Sequence, residues 1–215
     1  MDIYESKRLK FIPIGEVEHE DFLYGLLKEP GALNFDTSLP VGFTRPQVSS
    51  VIKIMASRKL LSMYIMAREA PNYKDPTPIG FISLSKPEER QIQHGNTFLT
   101  LAISKEAQGK GYGTEAIAWA LDWAFDFARM HRVEIFCYSW NVGAKRLYTR
   151  VGFREEGVKR EAVWFMGGWH DMHEMAMLEH EWRDVWRGKA NAKTWAPEDG
   201  QNYSSEQIAQ KMGSA

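Results

Sequence analysis

One stretch of the chain, residues 99–114, limits what the protein can fold into more than any other. Residues 99–103 are an apolar run that predicts a strand, and Gly109, Gly111 and Gly113 follow, directly before a long helical pattern. The first N–H groups of a helix have no acceptor inside the helix, and glycines let a bulky anion approach the backbone. The stretch therefore predicts a site for a pyrophosphate group.

Two common phosphate-binding motifs do not fit the spacing of these glycines. A P-loop needs Ser or Thr after Gly-Lys, but Lys110 is followed by Gly111. A dinucleotide-binding GxGxxG motif would need a third glycine where Ala116 stands. An ordinary glycine-rich turn between a strand and a helix is the alternative that this stretch leaves open when it is taken alone.

The remaining pattern, Gln108-x-x-Gly111-x-Gly113, resembles motif A of the GNAT superfamily of acetyl-CoA-dependent N-acetyltransferases. Residues 141–153 resemble motif B of the same superfamily, Asn-x-x-Ala-x-x-Leu-Tyr-x-x-x-Gly-Phe, and they lie one predicted strand after the first motif. The two motifs in register are far more specific together than either is alone. The resemblance extends over residues 8–182.

Two further segments resemble one branch of that superfamily. Residues 157–162, Gly-Val-x-Arg-x-Ala, and residues 168–172, Gly-Trp-x-Asp-Met, look like the closing hairpin of RimJ/RimL-like enzymes, which acetylate protein N-termini and other amines. The resemblance implies one acetyltransferase domain over residues 1–186 with the α/β GNAT fold. This fold is a mixed, strongly twisted sheet with helices on both faces and the cofactor between two parallel strands. The polar residues 187–215 predict a C-terminal tail.

Hydrophobic periodicity and turn residues predict the order of the elements. Strands are predicted at 8–14, 60–69, 79–85, 97–103, 133–138, 153–158, 162–166 and 172–178. Helices are predicted at 20–28, 44–58, 114–132 and 142–151, with a loop at 31–43, a turn at 71–78 and a hairpin turn at 167–168.

The resemblance also assigns roles to individual residues. Tyr148 stands at the general-acid position, and Asn141 stands where the family binds the cofactor arm or orients the substrate. The predicted cofactor-binding residues are Leu101, Ala102, Ile103, Gln108, Gly109, Lys110, Gly111, Tyr112, Gly113, Thr114, Asn141 and Ala144. Taken outside the motif, Tyr148 would more simply be a core aromatic, and Asn141 a helix N-cap.

The remaining ionisable and aromatic residues leave several interpretations open. His94, Glu88 and Glu89 precede the central strand and are candidates for a general base, although such residues are more often solvated. His170, His173 and Glu174 do not share one strand face, which argues against a metal site. The tryptophans are compatible with core packing, with the acceptor side of the site, or with a contact between two copies; they are Trp164, Trp169, Trp182 and Trp186.

Composition excludes several other classes of protein. The chain has 215 residues and a formal net charge of −1, so it has no basic field for nucleic acid or an anionic membrane. Its one cysteine, Cys137, cannot form an internal disulfide and is predicted to be a buried small hydrophobe. We find no signal peptide and no apolar run long enough to span a bilayer, and we expect a cytoplasmic protein.

These observations predict an enzyme that transfers the acetyl group of acetyl-CoA directly to a primary amine, without a metal. The acceptor is expected to be a protein N-terminus or a small-molecule amine. The rival interpretation is a non-catalytic module that binds acyl-CoA and has lost turnover. Because Tyr148 and Asn141 are both present, the sequence favours the enzyme.

Overall fold

A seven-stranded sheet runs through the centre of this computed structural model, which describes residues 3–15, 19–28, 44–68, 77–87 and 89–187. The strands are β1 (Leu9–Pro13), β2 (Lys59–Ala67), β3 (Thr77–Ser85), β4 (Asn96–Ile103), β5 (Arg132–Tyr138), β6 (Arg154–Phe165) and β7 (Gly168–Leu178). The helices are α1 (Glu20–Lys28), α2 (Arg45–Arg58), α3 (Tyr112–Asp122), α4 (Val142–Val151) and α5 (Glu179–Arg187). Short 3-10 turns cover Glu89–His94 and Lys105–Ala107.

The sheet is mixed, as predicted, and its single parallel contact lies at its centre. The strand order is β1-β2-β3-β4-β5-β7-β6, and every neighbouring pair is antiparallel except β4 and β5. The parallel pair is short, because only residues 96–98 of β4 pair with residues 132–134 of β5. Beyond those three pairs the two strands part, and a V-shaped opening forms between them.

Helices cover both faces of the sheet, which confirms the predicted architecture. One core lies against α1 and α2 and includes Leu23, Val48 and Tyr64. The other lies against α3, α4 and α5 and includes Ile117, Val151 and Trp182. The helical members of these cores stand on one stripe of each helix, and their burial against the sheet, which contributes Tyr64, holds the helices in place.

Sequence signals at their ends predict the limits of two helices correctly. The structure gives α1 and α4 the same limits as the sequence predicts. In α4, Asn141 caps the first turn by accepting a hydrogen bond from the Ala144 N–H at 3.1 Å. Gly152 ends the helix at φ 118°, in the left-handed region that suits glycine.

The long helix predicted at 114–132 is shorter and changes type. It starts two residues earlier, at Tyr112, and after Asp122 it widens into a π-helical turn over Trp123–Phe127. The wide turn brings Phe125 to 5.4 Å from the ring of Trp182, whose indole N–H donates to Asp122 at 3.1 Å. The prediction failed because the apolar spacing continues smoothly through the π turn and carries no sign of it, and the contact beside the turn joins residues 60 apart in the chain.

The C-terminal part of the described chain differs from the prediction in three ways. The two strands predicted at 153–158 and 162–166 form one strand, β6, with an irregularity between Lys159 and Val163. The turn to β7 uses Met166 and Gly167, both at positive φ, and Gly168 already belongs to the strand. Helix α5 was not predicted, because its mostly charged sequence hides the apolar contact made by Trp182.

Some predicted segments fall outside the described residues. These are the loop at 31–43, most of the turn at 71–78 and the tail predicted at 187–215, of which only Arg187, the last residue of α5, is described. None of the helices in the described ranges has the length and apolar character that crossing a membrane requires.

Candidate cofactor and catalytic site

The glycine turn between β4 and α3 has the backbone conformation that its sequence suggests. Gly109 and Gly111 have φ angles of 73° and 81°, which a residue with a Cβ adopts only with strain. Gly111 is the N-cap of α3, so the next N–H groups belong to the helix's first turn and have no acceptor within it. The site that results is suited to an anion.

The parting of β4 from β5 leaves one edge of β4 open next to that turn. Residues 99–102 pair with β3 on one side, and within the two described strands they have no partner on the β5 side. The Gln108 side chain donates to the Ile103 carbonyl oxygen at 2.9 Å and so links the strand's end to the glycine turn. Backbone groups on the open edge are available to an extended ligand, as they would be to an added strand.

Tyr148 faces the same opening from α4. Its side chain is only 7% exposed, and burial raises the pKa of its hydroxyl well above the ordinary tyrosine value. The phenol therefore stays protonated through the neutral range. It can donate a proton to a developing anion, and it cannot serve as a base near neutral pH.

Asn141 precedes α4 at the edge of the opening. Its side-chain oxygen is used in capping the helix, so its amide NH₂ is the group that can donate to a bound molecule. The N-cap interpretation of this residue is therefore correct, and it is compatible with a role in binding.

These elements enclose a cavity of about 380 Å³. All the predicted site residues line it except Lys110, whose carbonyl oxygen instead accepts a hydrogen bond from Arg8. The predicted residues that line it are Leu101, Ala102, Ile103, Gln108, Gly109, Gly111, Tyr112, Gly113, Thr114, Asn141, Ala144 and Tyr148. The other lining residues, which the sequence did not indicate, are Leu26, Ala107, Gly143, Leu147 and Arg150.

The lining has little formal charge. Among the described residues that line it, Arg150 is the one fully charged side chain, and none is Asp, Glu or His. A lining of low charge with an anion-binding turn at one end suits a long neutral chain that carries phosphate. Within the described part of the lining we find no carboxylate or imidazole that could accept a proton from an attacking amine.

The candidate bases lie elsewhere. His94 and Glu89 are exposed in the 3-10 turn before β4, and neither lines the cavity, whereas Glu88 lies outside the described residues. Cys137 is buried, and burial raises the pKa of its thiol to about 11, so it is no nucleophile. Across the described ranges we find no group of three or more side chains placed to hold a metal ion.

The four tryptophans do not form one cluster. Trp182 is buried in the core, whereas Trp164 and Trp169 are exposed at the β6–β7 hairpin with their rings 5.2 Å apart. The side chain of Trp186 lies outside the described part of the chain. Neither exposed tryptophan lines the cavity.

Comparisons with known proteins agree with this geometry. Residues 50–153 match the model of the acetyltransferase (GNAT) family. A probable N-acetyltransferase of Bacillus subtilis (strain 168) is 33% identical over 104 residues, which are 48% of this chain and 56% of that protein. A spermidine N(1)-acetyltransferase of Vibrio cholerae is 30% identical over 41% of this chain and 51% of that protein. The aligned segments thus span about half the length of these curated relatives.

A solved structure extends the likeness over most of the chain. The spermidine N-acetyltransferase from Vibrio cholerae in complex with CoA and spermine superposes with a TM-score of 0.70 at 20% identity, covering 82% of this chain and 99% of that one. At that identity the likeness shows the fold, and the fold is the GNAT fold. Residues 50–153 thus resemble the acetyltransferase (GNAT) family, and the described chain has the GNAT fold.

Proposed function

We propose that the protein transfers the acetyl group of acetyl-CoA directly to a primary amine, and that Tyr148 is the general acid. The observation that carries this proposal is the joint lining of one cavity by the glycine turn, the open edge of β4 and Tyr148. The N–H groups of residues 109–114 would hold the pyrophosphate without a metal. The pantetheine arm would lie along residues 101–103, and Asn141 would contact it or orient the acceptor.

The residues support direct transfer, without an acetyl-enzyme intermediate. The amine nitrogen bonds to the thioester carbonyl carbon, and a β4 backbone N–H stabilises the negative charge on the carbonyl oxygen. The carbon–sulfur bond then breaks, and Tyr148 donates its proton to the departing thiolate. We propose that the proton lost by the amine goes to solvent, since the described lining residues include no carboxylate or imidazole. Water returns a proton to Tyr148.

We propose a small-molecule amine or a protein N-terminus as the acceptor, as in the RimJ/RimL-like branch that the hairpin sequence resembles. The spermidine acetyltransferases among the relatives support an amine acceptor in general. A test panel should therefore contain spermidine, a peptide with a free N-terminus and an amino acid amide.

A calorimetric titration with acetyl-CoA tests the cofactor and its site together. The parent protein should bind, and Gly111→Trp should not, because a side chain is strained at φ 81° and its Cβ would lie 3.3 Å from Arg8 Nη2, so the turn must shift. Gly167→Trp is the matched control, since it alters a glycine at φ 84° in the hairpin, outside the cavity lining. If the parent does not bind acetyl-CoA, the proposal is wrong.

Turnover separates the enzyme from the binding module. Release of free CoA in the presence of a panel amine, with mass-spectrometric detection of the acetylated amine, supports the enzyme. Binding of acetyl-CoA without turnover of any amine in the panel favours the non-catalytic acyl-CoA module.

A further inference from the structure

Arg8, at the start of the chain, reaches the glycine turn more than 100 residues away in sequence. Its Nη1 donates to the Lys110 carbonyl oxygen at 2.9 Å, and its Nε donates to Glu115 Oε2 at 2.7 Å. The guanidinium carbon lies 4.8 Å from the centre of the Tyr112 ring. A Cβ added at Gly111 would lie 3.3 Å from Arg8 Nη2. Arg8 thus covers the outer side of the turn whose inner side lines the cavity.

The first of these contacts determines which way one peptide group faces. Lys110 lies between Gly109 and Gly111, both at positive φ, so the turn has unusual conformational freedom. In a trans peptide the C=O and the following N–H point in opposite directions. By holding the Lys110 carbonyl on the outer side, Arg8 turns the Gly111 N–H towards the cavity. This orientation agrees with the lining of the cavity, which includes Gly111 and not Lys110.

The second contact removes an unfavourable charge. Glu115 stands in the first turn of α3, where an unpaired carboxylate would repel a bound phosphate. Its Oε1 accepts hydrogen bonds from the backbone N–H of Arg8 and from the Ser6 hydroxyl, each at 2.7 Å. Its Oε2 is paired with the Arg8 guanidinium. The Glu115 side chain is largely buried, and solvent reaches the pair mainly from the Arg8 side, so the compensation is partly screened.

We propose that Arg8 and Glu115 form a positioning pair for the diphosphate of acetyl-CoA. Arg8 fixes the Gly111 N–H in its binding orientation and neutralises the Glu115 carboxylate beside the anion site. The pair acts on the phosphates alone and has no part in acetyl transfer. This inference rests on the proposed cofactor, and it adds two residues that lie outside the cavity lining.

The test compares two acetyl donors that differ in their phosphates. For Arg8→Met, the affinity for CoA by calorimetry and the KM for acetyl-CoA should each worsen about tenfold or more, with kcat little changed. S-acetylpantetheine carries no phosphate, so its KM and kcat should be the same for Arg8→Met and the parent. An equal loss with both donors, or no loss with either, would overturn the proposal.

Two further variants separate the roles of the pair. Glu115→Gln in the Arg8→Met background should restore part of the CoA affinity, because it removes the uncompensated charge. Arg8→Lys keeps the charge, but its ammonium group cannot reach the Lys110 carbonyl and Glu115 together as the guanidinium does, so we expect an intermediate affinity for CoA. This variant takes the place of Arg8→Met in the test if Arg8→Met does not fold. If Arg8→Lys binds CoA as tightly as the parent, the claim that both guanidinium contacts are needed is wrong.

Arg68→Met is the matched control. Arg68 is also an arginine paired with a glutamate, its Nη1 lying 2.9 Å from Glu5, and its N–H donates to the Arg8 carbonyl. Arg68 does not line the cavity, and the CoA affinity of Arg68→Met should match that of the parent. A parent that fails to bind CoA contradicts the proposed function. If the parent binds CoA and Arg8→Met binds it just as tightly, this inference is contradicted and the proposed function is not.

Discussion

Tyr148 combines two properties at the scale of a single residue. It is almost fully buried, and yet it belongs to the cavity wall. Burial penalises the phenolate and so raises the pKa of the hydroxyl, and the group carries its proton at neutral pH, as a proton donor must. The residue therefore couples the packing of α4 to the chemistry that we propose for the opening.

Tyr148→Phe separates these two properties, because it keeps the ring and removes the proton donor. We expect kcat to fall by roughly 10²–10⁴, in line with the loss of a general acid. The calorimetric affinity for acetyl-CoA should stay within about twofold of the parent, because a general acid acts in the transition state rather than in ground-state binding. Unchanged turnover in this variant would remove Tyr148 from the mechanism.

At the scale of elements, the approach of β3 to β4 is unusually close beside the site. A Cβ built on Gly80 would lie 2.1 Å from the carbonyl oxygen of Ala102, a cavity-lining residue. No real structure holds such a contact, so a side chain at this position must push the two strands apart. Gly80 thereby helps to set the position of the open edge of β4.

Gly80→Ala should lower the free energy of unfolding by about 1–3 kcal/mol, as other overpacking substitutions do, and should weaken acetyl-CoA binding. Gly25→Ala is the control, since no atom lies within 4 Å of its added Cβ on α1. That helix-interior change should stabilise the protein by up to about 1 kcal/mol. Denaturant unfolding of both variants measures the difference, and equal stabilities would show that the strands can relax.

A cluster of charges joins α4 to the C-terminal strands. Glu155 of β6 accepts from Lys145 of α4 at 2.6 Å and contacts His173 of β7 at 2.9 Å. The hydrogen bond from Lys145 is the main reason that the pKa of Glu155 is lowered from its usual value. A carboxyl group with a lowered folded pKa stabilises the fold above its unfolded pKa, and that stability is lost as the pH falls.

Glu155→Gln should therefore destabilise the protein at pH 7 and have little effect at acidic pH. We expect a loss below about 1 kcal/mol at pH 7, because the pair is more than a third exposed and solvent screens it. The difference from the parent should disappear as the pH falls below about 4.3, the ordinary glutamate pKa. Thermal unfolding across this pH range is the measurement, and a difference that grows towards low pH would contradict the ion pair.

Local signals made some of these elements predictable and left others hidden. The cap at Asn141 and the glycine at 152 lie next to the helix that they limit, so the sequence predicts α4 to the residue. The motif spacing likewise predicts most of the cavity lining. The contacts of Arg8 with Glu115 and of Trp182 with Asp122 join residues far apart in the chain, and no local pattern indicates them.

At the scale of the whole molecule, the cavity is lined by residues from both sides of the opening between β4 and β5. Residues 101–103 come from the first four strands, whereas Asn141 and Tyr148 follow the fifth. A ligand that binds only the folded state stabilises it by an amount set by its concentration and affinity. Cofactor binding should therefore be visible in the stability of the protein.

CoA at about 100 times its dissociation constant should raise the free energy of unfolding by about 2.7 kcal/mol. Amide hydrogen exchange should slow most in residues 99–103 and 109–114, where backbone groups are open without the cofactor. The exposed edge strand β6 serves as the internal reference, since it does not line the cavity. Protection spread evenly over β6 and β4 would argue against binding in the opening.

The three residue pairs that join β4 to β5 make a seam between two antiparallel sub-sheets, one of four strands and one of three. In most sheets, a strand edge without a partner lies at the periphery, exposed to other chains. Here the unpaired edge of β4 lies inside the molecule, with helices on both faces of the sheet. An extended molecule that occupies the seam would fasten the two sub-sheets to one another, so the substrate of the proposed reaction would also act as a structural part of the protein for as long as it stays bound.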